Sequence, residues 1–148
     1  MLGRAVGTLA AVTLVAAGLA AAAQIYKVSA TLNAAQEVPK QVVKAPNAKG
    51  TFSGTYVEHG KRATLTWKLT YSGLTGRATA AHIHLGKPGV MGNVIVPLCA
   101  AKCRPGMTGS ATIASKIVAD IKAGKTYVNV HTARNPAGEI RGQVKVTG

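Results

Sequence analysis

The chain has 148 residues, 47% of them apolar, with 18 lysines and arginines against 4 acidic residues for a formal charge of +14, and two cysteines. That length accommodates one compact domain and excludes a multidomain enzyme. Residues 1–23 distort the averages, because 17 of them are apolar and Arg4 is their only charged side chain.

Arg4 near the start, an uncharged Ala/Val/Leu-rich stretch from Ala5, and Ala21-Ala22-Ala23 before Gln24 match the three parts of a secretory signal peptide. The stretch is close to spanning length, but its alanines, with Gly7, Thr8, Thr13 and Gly18, insert weakly beside a leucine-rich span, so cleavage is favoured over an uncleaved anchor. The expectation is a periplasmic or secreted protein. Its mature part, residues 24–148, keeps a charge of +13 and about 42% apolar residues, enough for one modest core.

Along that mature part, period-2 patches fall at 25–32, 50–58, 62–71, 78–85, 94–98, 109–115, 126–131 and 139–146. The clearest is 62–71, where Ala63, Leu65, Trp67, Leu69 and Tyr71 alternate with Arg62, Thr64, Thr66, Lys68 and Thr70, the pattern of a half-buried strand. Turns rich in Gly, Pro and Asn separate the patches, as in Ser72-Gly73-Leu74-Thr75-Gly76 and Asn135-Pro136-Ala137-Gly138. This spacing predicts an all-β fold, an antiparallel Greek-key β-sandwich or barrel of about 7–8 strands. One segment breaks the pattern: Ser115 as a cap, apolar Ile117, Val118 and Ile121, and Gly124 as a stop predict one short helix.

Cys99 and Cys103 are the only cysteines, and an oxidising compartment favours a disulfide between them. It would close a five-residue loop worth about 2 kcal/mol, pinning a local turn without stapling the fold. A thiolate metal pair would want tighter spacing or partner cysteines that the chain lacks.

Three of the four histidines fall where strand geometry concentrates them. In Ala81-His82-Ile83-His84-Leu85 the side chains alternate, so His82 and His84 project together and can chelate one metal ion. In Tyr127-Val128-Asn129-Val130-His131 the valines share the core face and Asn129 and His131 share the other. The following patch places Ile140, Val144 and Val146 inward and Glu139 and Arg141 outward. If residues 132–138 form a hairpin loop, Glu139 lies across from His131 and its carboxylate can fix the ring tautomer, leaving the other nitrogen for a metal, with Asn129 as further support. The plain alternative is two surface histidines beside a solvated Glu139–Arg141 pair worth under about 1 kcal/mol. His59, beside Gly60-Lys61-Arg62, reads as an exposed turn residue.

Ala-Ala-His-Ile-His-Leu-Gly-Lys-Pro-Gly-Val-Met-Gly-Asn-Val, then Ala-Gly-Lys-Thr-Tyr-Val-Asn-Val-His-Thr, then Asn-Pro-Ala-Gly-Glu-Ile-Arg-Gly-Gln, with Ala-Ala-Gln-Glu-Val-Pro at 34–39, resemble the CHRD domain, the module named after chordin. The resemblance covers about residues 26–147 and implies an extracellular or periplasmic β-rich module. More weakly, the His-x-His strand and glycine-rich turn resemble the copper-ligand strand of Cu/Zn superoxide dismutase, which supports His82, His84 and His131 as ligands. The chain lacks a full set of bridging and zinc ligands, with one aspartate, Asp120, in the helical turn, so a two-metal dismutase is not expected.

The leading expectation is an exported binding protein whose ligands are His82, His84 and His131, with copper favoured by the Irving–Williams order and zinc the alternative. A second is a structural or adhesive envelope module using basic residues such as Lys61, Lys68, Lys87 and Arg104 on anionic polysaccharide or lipid. Nucleic acid is not an expected partner, given the export signal, six aromatic residues and no reader motif. No nucleophile–base set or paired carboxylates point to an enzyme, and a copper-only, dismutase-like redox site is the main exception.

Overall fold

The structure is a computed structural model and describes residues 23–147. All of the expected leader except Ala23 lies outside those residues. The chain runs β1 (Ile25–Asn33), a short 3₁₀ turn (Ala34–Gln36), β2 (Lys49–His59), β3 (Arg62–Ser72), β4 (Ala78–Leu85), β5 (Val94–Ala100), β6 (Met107–Ala114), α1 (Ser115–Lys122), β7 (Thr126–Thr132), β8 (Ile140–Gln143) and β9 (Lys145–Val146). Every paired strand is antiparallel, in the order β5-β4-β7-β8-β1-β2-β3-β6, and the two end strands approach one another, so the sheet is nearly closed into an eight-stranded barrel. The all-β fold and the single short helix are those the sequence predicts.

The β2–β3 hairpin shows why. Its ladder runs from His59 opposite Arg62 to Lys49 opposite Ser72 without a shift. Phe52 and Tyr56 on one strand and Leu65, Trp67 and Leu69 on the other turn inward, while Thr66 and Lys68 face out. Leu32, Ile83, Val128, Val130 and Ile140 complete the same core, so each strand contributes its apolar alternation to one interior. Helix α1 buries Val118 and Ile121, with Ala114 rather than Ser115 in the capping position. Gly124, at φ 66°, ends it. Cys99 and Cys103 are disulfide-bonded, with Cα atoms 5.5 Å apart, at the end of β5.

Two features depart from the alternation. The expected strand over 139–146 is split. Val144 leaves the ladder to donate its N–H to the Thr126 carbonyl at 2.9 Å, after which β9 pairs with β1 instead of β7. Val144 is buried as expected, but Val146, paired with Val28 in the short β9, is exposed. The second departure is larger. Glu139 and Arg141, placed outward by parity, are 0% and 1% exposed. They do sit on the outer face, but residues 34–48 fold over it. Gln41 Nε2 donates to the Glu139 carbonyl, and Val43 and Asn135 exchange two hydrogen bonds of 2.9 Å each. Beyond β7 and β8 the barrel therefore carries a second, polar layer.

Candidate metal centre

His82 and His84 leave the same face of β4, while Ala81 and Ile83 fill the core. β4 pairs with β7 so that His82 faces Asn129, His84 faces Tyr127, and His131, paired with Ala80, is the diagonal neighbour of His82. The three rings gather with centroids 5.0 to 5.8 Å apart. One nitrogen from each lies within 4.8 Å of the other two. Bonds of about 2.0–2.1 Å to a shared ion put ligand nitrogens about 3–4 Å apart, so closure needs side-chain shifts of about 1 Å.

The hydrogen bonds decide which nitrogens are free. His84 Nδ1 meets the Gly92 carbonyl at 2.9 Å, and His131 Nδ1 meets the Pro136 carbonyl at 3.0 Å. A carbonyl oxygen only accepts, so both Nδ1 atoms carry the proton and both Nε2 atoms present a lone pair. Nε2 of His84 is buried with no hydrogen-bond partner. His82 points the other way round, and its Nδ1–H donates to the His131 Nε2 lone pair at 3.2 Å. The inward set is thus His82 Nδ1, His84 Nε2 and His131 Nε2, and the backbone carbonyls do the orienting that carboxylates do in many metal sites. Gly92 is placed for this by close packing: a Cβ there would lie 1.5 Å from the Leu85 oxygen.

The site keeps these rings neutral. Burial, then the neighbouring His131 and His84, pull His82 down to about 4. Burial also lowers His84, opposed by the Gly92 carbonyl and aided by Arg141. It lowers His131, opposed by the Pro136 carbonyl and aided by His84. Neutral imidazole is the metal-binding form, so near pH 7 no net proton release is needed, but the His82 proton has to move from Nδ1 to Nε2 before an ion can bind between the rings.

Behind the rings, Tyr127 stacks on His84 at 4.9 Å with 8° between planes, and the Arg141 guanidinium lies 3.4 Å from the Tyr127 ring centre. Tyr127 Oη accepts from the Gly92 N–H at 3.1 Å, so the same loop holds both members of the stack.

Glu139 and Asn129 are close to the cluster but do not orient it. The Glu139 carboxylate accepts from Thr75 N and Oγ1, Thr132 Oγ1 and Asn135 Nδ2 at 2.5, 2.6, 2.5 and 2.9 Å, while His131 is held by Pro136. Four donors, from the loop after β3, the end of β7 and the loop that follows it, surround the carboxylate, which leaves the imidazole to the carbonyl. Burial works against ionising Glu139, but the bonds from Thr132, Thr75 and Asn135 outweigh it and hold the carboxyl below its usual value. Asn129 donates to Glu37 Oε1 and, at 2.9 Å, to the Ile140 carbonyl. Burial pushes Glu37 up to about 8, against the Asn129 bond and the Arg141 charge that favour ionisation.

Glu37, Tyr127 and the Gly92 carbonyl were not singled out by sequence reasoning, which read Arg141 only as the outward neighbour of Glu139. The usable signal was scarcity: in a chain with four acidic residues, Glu37 and Glu139 both sit in stretches of apolar and small residues, and both are buried.

Together the fold and this cluster define an antiparallel β-barrel carrying three convergent, neutral histidines on two adjacent strands. The chain matches the CHRD domain over residues 28–144 and belongs to that family. No significant match is found among curated proteins or solved structures.

Proposed function

We propose that this CHRD-domain protein is an exported metal-binding module, with His82 Nδ1, His84 Nε2 and His131 Nε2 as ligands to copper, and zinc as the alternative ion. The observation that carries this reading is the convergence of three ring nitrogens within 4.8 Å of one another, two of which have their other nitrogen tied to a backbone carbonyl. An all-imidazole set without carboxylate or thiolate suits Cu and Zn, and favours Cu(II) over Zn(II) in affinity. Metal analysis of purified protein equilibrated with each ion should give one bound ion per chain, falling to background in His82→Ala/His84→Ala. Equal stoichiometry in the two proteins would reject the site.

A second reading, an adhesive envelope module for acidic polysaccharide, has its own support. On the outer face of β1, β2, β3 and β6 a broad trough of about 790 Å³ is lined by serine and threonine, with Lys27 and Lys68 and no acidic residue. Retention on an immobilised uronic-acid polymer that is lost in moderate salt and in Lys27→Glu/Lys68→Glu, yet unchanged in the histidine variant, is its expected signature. Retention indifferent to salt and to both lysines would reject it.

A further inference from the structure

We infer that this chain binds a small oxyanion, of the carboxylate or phosphate kind, at Arg141. The place is a cavity of about 210 Å³ outside the histidine cluster, lined by Val38, Lys40, Pro88, Gly89, Arg141 and Gln143 among others. At about 30 Å³ per water it has room for some seven water-sized groups. No acidic side chain lines it.

Arg141 is the reason to expect an anion there. It is 1% exposed, yet among the described residues the ion pairs are Lys116–Asp120 and Lys122–Glu58, so no carboxylate lies within 4.0 Å of its guanidinium. One face rests on Tyr127, and Nη2 donates to the Lys87 carbonyl at 2.9 Å. Nη1 is buried and has no partner. A buried guanidinium lacking both a counter-charge and a full set of acceptors is among the more expensive arrangements a fold can hold. Glu37, whose charge acts on Arg141, has one oxygen taken by Asn129 and the other buried without a partner, and makes no ion pair with the guanidinium within 4.0 Å.

The surroundings supply what an oxyanion needs. Arginine presents a rigid fork of donors that matches carboxylate or phosphate oxygens, and one of its arms is unspent. At the exposed rim, Lys40 Nζ donates to the Ala35 carbonyl at 2.7 Å, which fixes a second positive charge on the cavity wall. The walls come from the 34–40 segment and the loop after β4, two connections that lie over the sheet, and from Arg141 and Gln143 of β8. In the strand order β7 separates β4 from β8, so Tyr127 stands between this cavity and His84.

The test uses metal-free protein, so the fate of the metal reading does not bear on it. Inorganic phosphate and acetate are titrated separately at pH 7 and constant ionic strength while backbone and arginine side-chain N–H resonances are followed by NMR. Saturable shifts should centre on Gly89, Gln143 and the Arg141 side chain, and the tighter of the two ligands identifies the kind of oxyanion. Lys40→Gln should weaken binding about 3-fold, as expected for one partly exposed charge. Arg141→Lys, which keeps the charge and loses the fork, should weaken it about 10-fold or more. If Arg141→Lys does not fold, the location of the shifts and the Lys40→Gln effect decide. No saturation with either ligand up to about 50 mM, or saturation indifferent to Lys40→Gln, would overturn the proposal.

Discussion

Replacing Glu139 by glutamine separates what this residue does from what its position beside His131 suggests. The carboxylate accepts on both oxygens: Thr75 N–H on Oε1, and Thr75 Oγ1, Thr132 Oγ1 and Asn135 Nδ2 on Oε2. A glutamine has one oxygen. With that oxygen on the Oε1 side its NH₂ opposes Asn135 Nδ2, and with the oxygen on the other side the NH₂ opposes the Thr75 N–H. Two hydroxyls can rotate to accept, but one donor–donor opposition survives in either orientation, in a place with no solvent access. Losing the charge-assisted bonds and burying one unsatisfied donor should cost about 2–4 kcal/mol. At an m-value of about 2 kcal/mol/M, the urea midpoint of metal-free protein should fall by about 1–2 M with an unchanged slope. The variant should also lose acid-side sensitivity. A carboxyl depressed in the folded state contributes stability that is complete above its unfolded value and is lost as pH falls through its folded value, and a glutamine in its place does not titrate. Metal stoichiometry under native conditions should match the unmodified protein, because Pro136 and not Glu139 holds His131. A cost under about 1 kcal/mol, or loss of bound metal from a folded Glu139→Gln protein, would refute the reasoning.

Glu37→Gln should have the opposite pH signature. A carboxyl raised to about 8 contributes stability that is complete below its unfolded value of 4.5 and is lost as pH climbs through 8. The variant should therefore match the parent near pH 4.5 and exceed it at pH 9 by at least about 1 kcal/mol in chemical denaturation, and parallel curves would count against a neutral Glu37. Gly92→Ala forces a Cβ to within 1.5 Å of the Leu85 oxygen unless the loop moves, which shifts the carbonyl that orients His84. Copper affinity by competition titration should drop about 10-fold or more, and an unchanged affinity would remove Gly92 from the site. Cys99→Ser/Cys103→Ser should lower stability by about 2 kcal/mol while leaving the far-UV spectrum and metal stoichiometry intact. A loss of fold would show that the disulfide does more than pin a turn.

The strands were legible because each carries one clean apolar face. Arg62 to Ser72 reads from sequence almost to the residue, and the same alternation aims His82 and His84 together. Parity, however, assigns a side chain to one of two faces and says nothing about what covers each. It put Glu139 and Arg141 on the outer face correctly and then left them in water, because residues 34–48, with no periodicity of their own, gave no sign that they lie across β7 and β8. The orienting groups at the histidines were hidden for a related reason. Gly92 and Pro136 act through main-chain carbonyls, which every residue has, so side-chain chemistry cannot mark them. The break after Gln143 was also illegible, since Val144 keeps the apolar parity while leaving the ladder.

The alternation in β4 couples two properties that are usually selected separately. Ala81 and Ile83 pack the interior, and His82 and His84 stand between and beyond them on the same strand. Because the side-chain period of a strand is two, slipping β4 by one residue against β7 would turn both imidazoles into the core and Ile83 out of it. The penalty for misfolding in that register and the penalty for mis-aiming the ligands are therefore one and the same. Any substitution that weakens the apolar claim of Ile83 on the interior loosens the aim of both histidines, so tolerance to mutation at this core position is set by ligand geometry as much as by packing.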